Sequence, residues 1–208
     1  MSLNFESIQN ATINKEPFPY TLIDNVLDPD KTLDIAKSFP NITQGGSFPL
    51  ESQKLEGEFK KLIEELHQPK LAKIISEKFD INLDNSPVMI TLRGFSRKKD
   101  GRIHTDSKTK LITMLIYLNE EWDESEGCLR ILNDGENLDN YVDEVPPKAG
   151  SCLIFKVTEN CWHGYKPFEG KRKSIQLNFI VSDSSINKHL KLHGLSAKFK
   201  NLKAKFKK

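Results

Sequence analysis

The spacing of apolar positions along the chain changes near residue 87. Before that point it is helical. In "LEGEFKKLIEELHQPKLAKIISEKF" (55–79), Phe59, Leu62, Ile63 and Leu66 share one helical face, and Pro69 interrupts the run. Proline cannot continue a helix without losing a hydrogen bond, so two helices or one kinked helix are expected there. "DPDKTLDIAKSF" (28–39) predicts a further helix, with Asp28 as N-cap, Pro29 at the first helical position and Leu33, Ile35 and Ala36 as its apolar residues. "PYTLIDNVL" (19–27) predicts a strand. After residue 87 the apolar runs become short and rich in β-branched and aromatic residues: "PVMITLRGF", "KLITMLIYLN", "GCLRIL", "GSCLIFK", "WHGYKPF" and "SIQLNFIV". The turn-forming stretches "KKDGR", "NDGEN", "PPKAG" and "FEGKR" separate them. That alternation predicts a β-sandwich or jelly roll, mainly β with flanking helices (α+β), with the N-terminal helices packed on one sheet. The expected organisation is a single domain over 1–187, comprising a helical and strand part (1–86) and a jelly-roll core (87–182), with helix returning after Ser184. In "LITMLIYL", period-two alternation puts Ile112, Met114 and Ile116 on a wholly apolar face and Thr113, Leu115 and Tyr117 on the other. The second face suits a strand that lines a cavity.

Composition agrees with this picture, and charge adds a subdivision. Of 208 residues, 37% are hydrophobic and 29% charged, enough for one core and no sign of wholesale disorder. No stretch approaches 18 consecutive apolar residues, and "MSLNFESIQNATINKEP" has no basic segment followed by an apolar run, so neither a membrane span nor a secretory signal is expected. Cys128, Cys152 and Cys161 are odd in number and fit no metal-ligand spacing, which points to a reduced, cytoplasmic setting. The whole chain carries +2, yet residues 188–208 hold eight lysines and no acid, which leaves residues 1–187 at −6. Leu195, Phe199, Leu202 and Phe206 lie at near-helical spacing among these lysines and predict a basic amphipathic helix or tail. Packing of its apolar stripe on the body is preferred over contact with nucleic acid or an anionic membrane. His189 and His193 stand four apart in it, but no glutamate follows His189 as in a zinc-protease helix.

The candidate chemistry begins at "GRIHTDSKTK" (101–110). Residues i and i+2 of an extended segment point the same way, so His104 and Asp106 can reach one point in space. Two histidines and a carboxylate form the open facial ligand set of non-haem Fe(II) oxygenases, but the triplet alone does not decide between a metal site and a polar hairpin end. Of the other histidines, His67 precedes Pro69 in a helix and two lie in the basic tail. Only His163, 57 residues beyond Asp106, lies in a strand-rich stretch. Nine residues later, Arg172 and Ser174 occupy alternate strand positions, and a guanidinium offers a planar fork matched to a carboxylate.

Taken in order, "HTD", "ITMLIYLNEEWDESEGCLRI", "VPPKAGSCLIFK" and "WHGYKPFEGKRKSIQLNF" resemble the Fe(II)- and 2-oxoglutarate-dependent dioxygenases, in particular their prolyl 4-hydroxylase-like branch, over roughly residues 87–182. "EPFPYTLIDNVLDPD" is similar to that family's entry strand and helix. The resemblance implies a cupin-like double-stranded β-helix. It implies Fe(II) on His104, Asp106 and His163, and the C5 carboxylate of 2-oxoglutarate on Arg172, helped by Ser174 and Tyr117. Thr113, Leu115, Leu129 and Asn178 would line the pocket. It further implies hydroxylation of an unactivated C–H bond with O2, decarboxylation of 2-oxoglutarate to succinate and CO2, and ascorbate as a candidate reductant. Since Asp106 is present, hydroxylation is favoured over halogenation.

Two departures bear on the substrate, small-molecule or peptidyl. Where the family often has a tyrosine near the cosubstrate, on the strand before His-x-Asp, this chain has Arg93 and Phe95; Asn178 stands where peptidyl-proline enzymes often carry an aromatic residue; and both changes alter the pocket wall. Proline is therefore not carried over. Arg97, Lys98, Lys99 and Arg102 read either as a basic rim for an acidic substrate or as a solvated hairpin tip, the second being preferred. Residues 133–145 read equally as a substrate-covering loop or a plain connection. The alternative function is a non-catalytic jelly-roll binding module that retains the metal site; a cupin-like metal enzyme of another kind fits less well, because it has no need of Arg172.

Overall fold

The computed structural model describes residues 1–123 and 125–181; the expected helix after Ser184 and the basic tail lie outside the described residues. Among the described residues four α-helices lie before residue 80, interleaved with two strands: α1 (Phe5–Asn10), α2 (Pro29–Lys37), α3 (Gly57–Leu66) and α4 (Pro69–Phe79). Asp28 caps α2, its side chain accepting from the Asp30 amide with Pro29 in the first turn. Leu33, expected on the apolar face, is instead 49% exposed, and α2 buries only Ile35 and Ala36. Pro69 separates two helices, α3 ending at Leu66 and α4 opening on Pro69 itself. The amide of Phe59, in the first turn of α3, donates to Ser38 Oγ, so the end of α2 satisfies the start of α3.

The strands are β1 (Tyr20–Ile23), β2 (Phe48–Pro49), β3 (Val88–Ser96), β4 (Lys110–Tyr117), β5 (Leu129–Leu132), β6 (Tyr141–Val145), β7 (Cys152–Lys156), β8 (His163–Gly164) and β9 (Gly170–Ile180). They form a six-stranded sheet in the order β1-β7-β4-β9-β3-β2 and a three-stranded sheet in the order β6-β5-β8, every pair antiparallel. This is the sheet-rich jelly roll with helices that the sequence predicts. The 133–145 segment is not a loop throughout: its last five residues are β6, paired with β5. The N-terminal part also supplies two strands rather than one, since β2 joins the edge of the large sheet.

The alternation in β4 sorts the two cores. Ile112, Met114 and Ile116 are fully buried in a cluster with Phe59, Leu62 and Ile75 of the helices and Ile175 and Leu177 of β9. The opposite face of the large sheet meets the small sheet in a second cluster that includes Tyr117, Leu129, Ile131 and Phe155. Helices thus cover one face, and the other face closes over a cavity.

Candidate metal and cosubstrate site

A backbone ladder brings the two candidate histidines together. The His104 amide donates to the His163 carbonyl at 3.1 Å and the His163 amide to the His104 carbonyl at 3.0 Å, with the rings 4.3 Å apart. Each ring is oriented by its own chain: His104 Nδ1 lies 2.8 Å from the Arg102 carbonyl and His163 Nδ1 2.8 Å from that of Cys161. A carbonyl only accepts, so Nδ1 carries the proton on both rings and Nε2 presents a lone pair. Burial, followed by His104, pushes the His163 pKa down to about 4, which keeps that imidazole neutral at physiological pH.

Asp106 completes the group. The ligand atoms of His104, Asp106 and His163 all lie within 4.8 Å of one another. Burial alone would raise the Asp106 pKa, but Lys110, His163 and hydrogen bonds from Lys110 and Thr113 outweigh it and hold the carboxyl at about 2. Lys110 Nζ donates to Oδ1 at 2.8 Å, and Thr113 Oγ1 donates to Oδ2. Thr113 in turn accepts from Asn178 Nδ2 at 2.7 Å, so a chain of hydrogen bonds from β9 through β4 aims the carboxylate. Two imidazoles whose Nδ1 atoms face backbone carbonyls, leaving Nε2 to ligate, and one ionised carboxylate make a donor set that fits a divalent first-row metal.

A cavity of about 250 Å³ opens beside this group. Its wall includes His104 and His163, Thr113, Leu115 and Tyr117 of β4, Leu129 of β5, and Arg172 and Ser174 of β9. Of the residues expected at the pocket, Asn178 alone is displaced. It is fully buried and is not among the lining residues, because it stands behind Thr113. Arg172 is 5% exposed. Its Nε donates to the Gly127 carbonyl at 2.8 Å and an Nη donates to Tyr117 Oη at 3.3 Å. Among the described residues no carboxylate pairs with it, and a buried guanidinium without a counter-charge is costly. That cost is offset if a carboxylate enters, so the arrangement fits the far end of a dicarboxylate. Gly127 holds φ at +78°, a conformation that glycine adopts without strain and that aims its carbonyl at Arg172. Burial raises the Tyr117 pKa against the opposing charge of Arg172. The phenol stays protonated, and since its oxygen accepts from Arg172, its O–H is left to donate.

Tyr165, Gln176, Asp100 and Gly101, which had no place in the predicted site, also line the wall, as does Arg93. The Arg172 guanidinium lies 4.2 Å above the Tyr165 ring, and Tyr165 Oη bonds Ser96 Oγ at 2.9 Å. Gly101 adopts φ +83°, and a Cβ there would stand 2.5 Å from the Tyr165 ring. The spacing of Tyr165, two residues after His163, was the available signal.

Residues 92–180 match the family described as the 2OG-Fe(II) oxygenase superfamily. No curated protein matches the chain in sequence. Among solved structures, a Pseudomonas putida prolyl-4-hydroxylase aligns at 16% identity with a TM-score of 0.57, covering 86% of this chain and 97% of that one. Prolyl 4-hydroxylase from Phytophthora capsici aligns at 14% identity with a TM-score of 0.59, covering 94% and 76%. The viral collagen prolyl hydroxylase of Paramecium Bursaria Chlorella virus-1 aligns at 16% with a TM-score of 0.56, covering 79% and 96%. Residues 92–180 thus resemble the 2OG-Fe(II) oxygenase superfamily, and the chain shares the fold of these prolyl hydroxylases.

Proposed function

We propose that the protein is an Fe(II)- and 2-oxoglutarate-dependent hydroxylase that oxidises an unactivated C–H bond of a small-molecule or peptidyl substrate while 2-oxoglutarate and O2 yield succinate and CO2. The observation that carries this is the pairing, across one small cavity, of the His104–Asp106–His163 group with a buried Arg172 that has no carboxylate partner among the described residues. In this reading His104, Asp106 and His163 hold the iron. The bound iron and 2-oxoglutarate supply the O2 chemistry. The chain's own residues orient and shield. Arg172, with the Tyr117 hydroxyl and Ser174 beside it, anchors the distal carboxylate. Thr113 and Asn178 fix Asp106. Leu115 and Leu129 give an apolar wall that keeps bulk water from the reacting carbon. Ascorbate would serve as an external reductant.

Three buried, unpaired cysteines support a reducing, cytoplasmic location. No helix among the described residues is long and apolar enough to cross a membrane.

The test is oxygen-dependent formation of succinate from 2-oxoglutarate with added Fe(II), over a broad set of candidate substrates. Wild type turns over; His163→Ala abolishes turnover and metal binding together. Arg172→Ala weakens 2-oxoglutarate binding by about 30-fold or more, as expected when a charge-assisted pair worth about 2 kcal/mol or more is lost. Turnover indifferent to Arg172→Ala would refute the cosubstrate assignment. Inactivity of wild type throughout would favour a binding module.

A further inference from the structure

The large sheet places a second guanidinium in the cavity. In the antiparallel register Tyr117 of β4 faces Ser174 of β9, and Ser174 faces Arg93 of β3. Cross-strand partners share a face, so Tyr117, Ser174 and Arg93 form one row across the cavity floor. The same register puts Gln176, also in the wall, diagonal to Arg93. The line from the metal group to Arg172 runs along β4 and β9, from Thr113 past Leu115 to Tyr117. Arg93 stands two strands from β4, about 10 Å at the usual strand spacing. It lies beside that line, on the side of the 97–102 turn.

Arg93 is half-buried, and none of the described residues hydrogen-bonds its guanidinium. The carboxylate on which its charge acts, Asp100, is already engaged: Arg97 Nε and an Nη bind its two oxygens at 3.0 and 2.7 Å. Asp106 is likewise taken by Lys110. Lys99 and Arg102 stand exposed in the same wall. If a 2-oxoglutarate dianion occupies Arg172 and the metal, three cations still face the remaining space, and among the described wall residues no free acid is left to answer them.

We infer that the substrate carries an anionic group, a carboxylate or a phosphate, that Arg93 grips with Gln176 beside it and that Lys99 and Arg102 attract to the mouth. This specificity rests on the reading of the cavity as a 2-oxoglutarate site. It differs from what a neutral prolyl side chain needs, since such a group would leave Arg93 desolvated and unanswered.

Calorimetric titration of the full chain tests this, with Mn(II) and saturating 2-oxoglutarate present and oxygen excluded. Benzoate and phenyl phosphate are the anionic probes; benzamide and phenol are their neutral counterparts. Wild type binds at least one anion about tenfold or more tighter than its neutral counterpart, as a charge-assisted contact requires. The two anions tell carboxylate from phosphate. Arg93→Gln erases the preference, Arg93→Lys keeps part of it and shows that the fold survives, and the Kd for 2-oxoglutarate moves by less than about twofold in both. Wild type without an anion preference, or a preference that survives Arg93→Gln, overturns the inference. So does an Arg93→Gln loss of 2-oxoglutarate affinity as large as that of Arg172→Gln, which would assign Arg93 to the cosubstrate. Should wild type bind neither Mn(II) nor 2-oxoglutarate, the hydroxylase reading fails, and the same probe ratios on the unloaded chain still decide the role of Arg93.

Discussion

At the scale of single residues, the candidate site depends on side chains that support its metal ligands and its guanidinium. Thr113 is one: its hydroxyl donates to Asp106 and accepts from the buried Asn178. Thr113→Val keeps the shape and removes both bonds. Metal affinity is expected to fall about 10- to 100-fold, the usual effect of losing a ligand's supporting bond, when Mn(II) binding is measured by calorimetry. An unchanged Kd would show that Lys110 alone aims the carboxylate. Tyr165 is another, since the Arg172 guanidinium stands over its ring. Tyr165→Phe retains the ring and gives up the bond to Ser96, whereas Tyr165→Leu removes the ring. The leucine variant should weaken 2-oxoglutarate binding by up to about 30-fold, for a desolvated cation–π contact of about 2 kcal/mol, and the phenylalanine variant far less. Equal losses in the two would assign the effect to the hydroxyl instead. These residues also mark where the sequence stops being readable. His104, Asp106, His163 and Arg172 are legible because few residue types ligate metals or pair with carboxylates, and only one histidine outside the triplet lies among the strands. The supporting roles of Tyr165 and Asn178 are not, because an aromatic or an amide in a strand reads equally as ordinary core or cavity wall. Arg93 drew notice as a departure that alters the pocket wall, and strand register sets it in a row with Ser174 and Tyr117.

At the scale of elements, legibility follows length and burial. β4 and β9 are long and clean in their alternation, and their two faces sort as the period predicts: Met114 is fully buried against the helices while Leu115 lines the cavity. β6 is different. "YVDEV" is exposed at its start, carries two acids and pairs only through β5, so nothing in its composition separates it from the preceding loop. β8 has two residues and α1 six, too short for a period to show. The split of β4 into two faces has a consequence for stability. Met114→Ala removes side-chain volume from the packed interface between sheet and helices and should cost about 2–5 kcal/mol, read as a lower urea midpoint at unchanged slope. Leu115→Ala enlarges a cavity that already exists and should cost clearly less. If the two variants lose the same stability, the helix-covered face is not the tighter of the two.

At the scale of the whole molecule, charge and architecture pull in opposite directions. Residues 1–187 sum to −6, a field that repels a dicarboxylate. The cavity wall nevertheless presents Arg93, Lys99, Arg102 and Arg172 against Asp100, which Arg97 already holds. The fold achieves this by returning β3, β9 and the 97–102 turn to the same opening, so cations distant in sequence converge while the acids spread elsewhere. A local positive mouth on an acidic body governs approach more than residence, because attraction acts before contact and is screened over about 10 Å at 0.1 M salt. The association rate of 2-oxoglutarate with the Mn(II)-loaded protein, followed by stopped-flow tryptophan fluorescence, should therefore fall several-fold between about 10 mM and 500 mM salt. Replacing both Lys99 and Arg102 with glutamine should lower the low-salt rate towards the high-salt value and flatten its dependence, with the dissociation rate little changed. A salt response equally steep in the double variant would mean that the mouth does not steer the ligand and that Arg172 draws it in unaided.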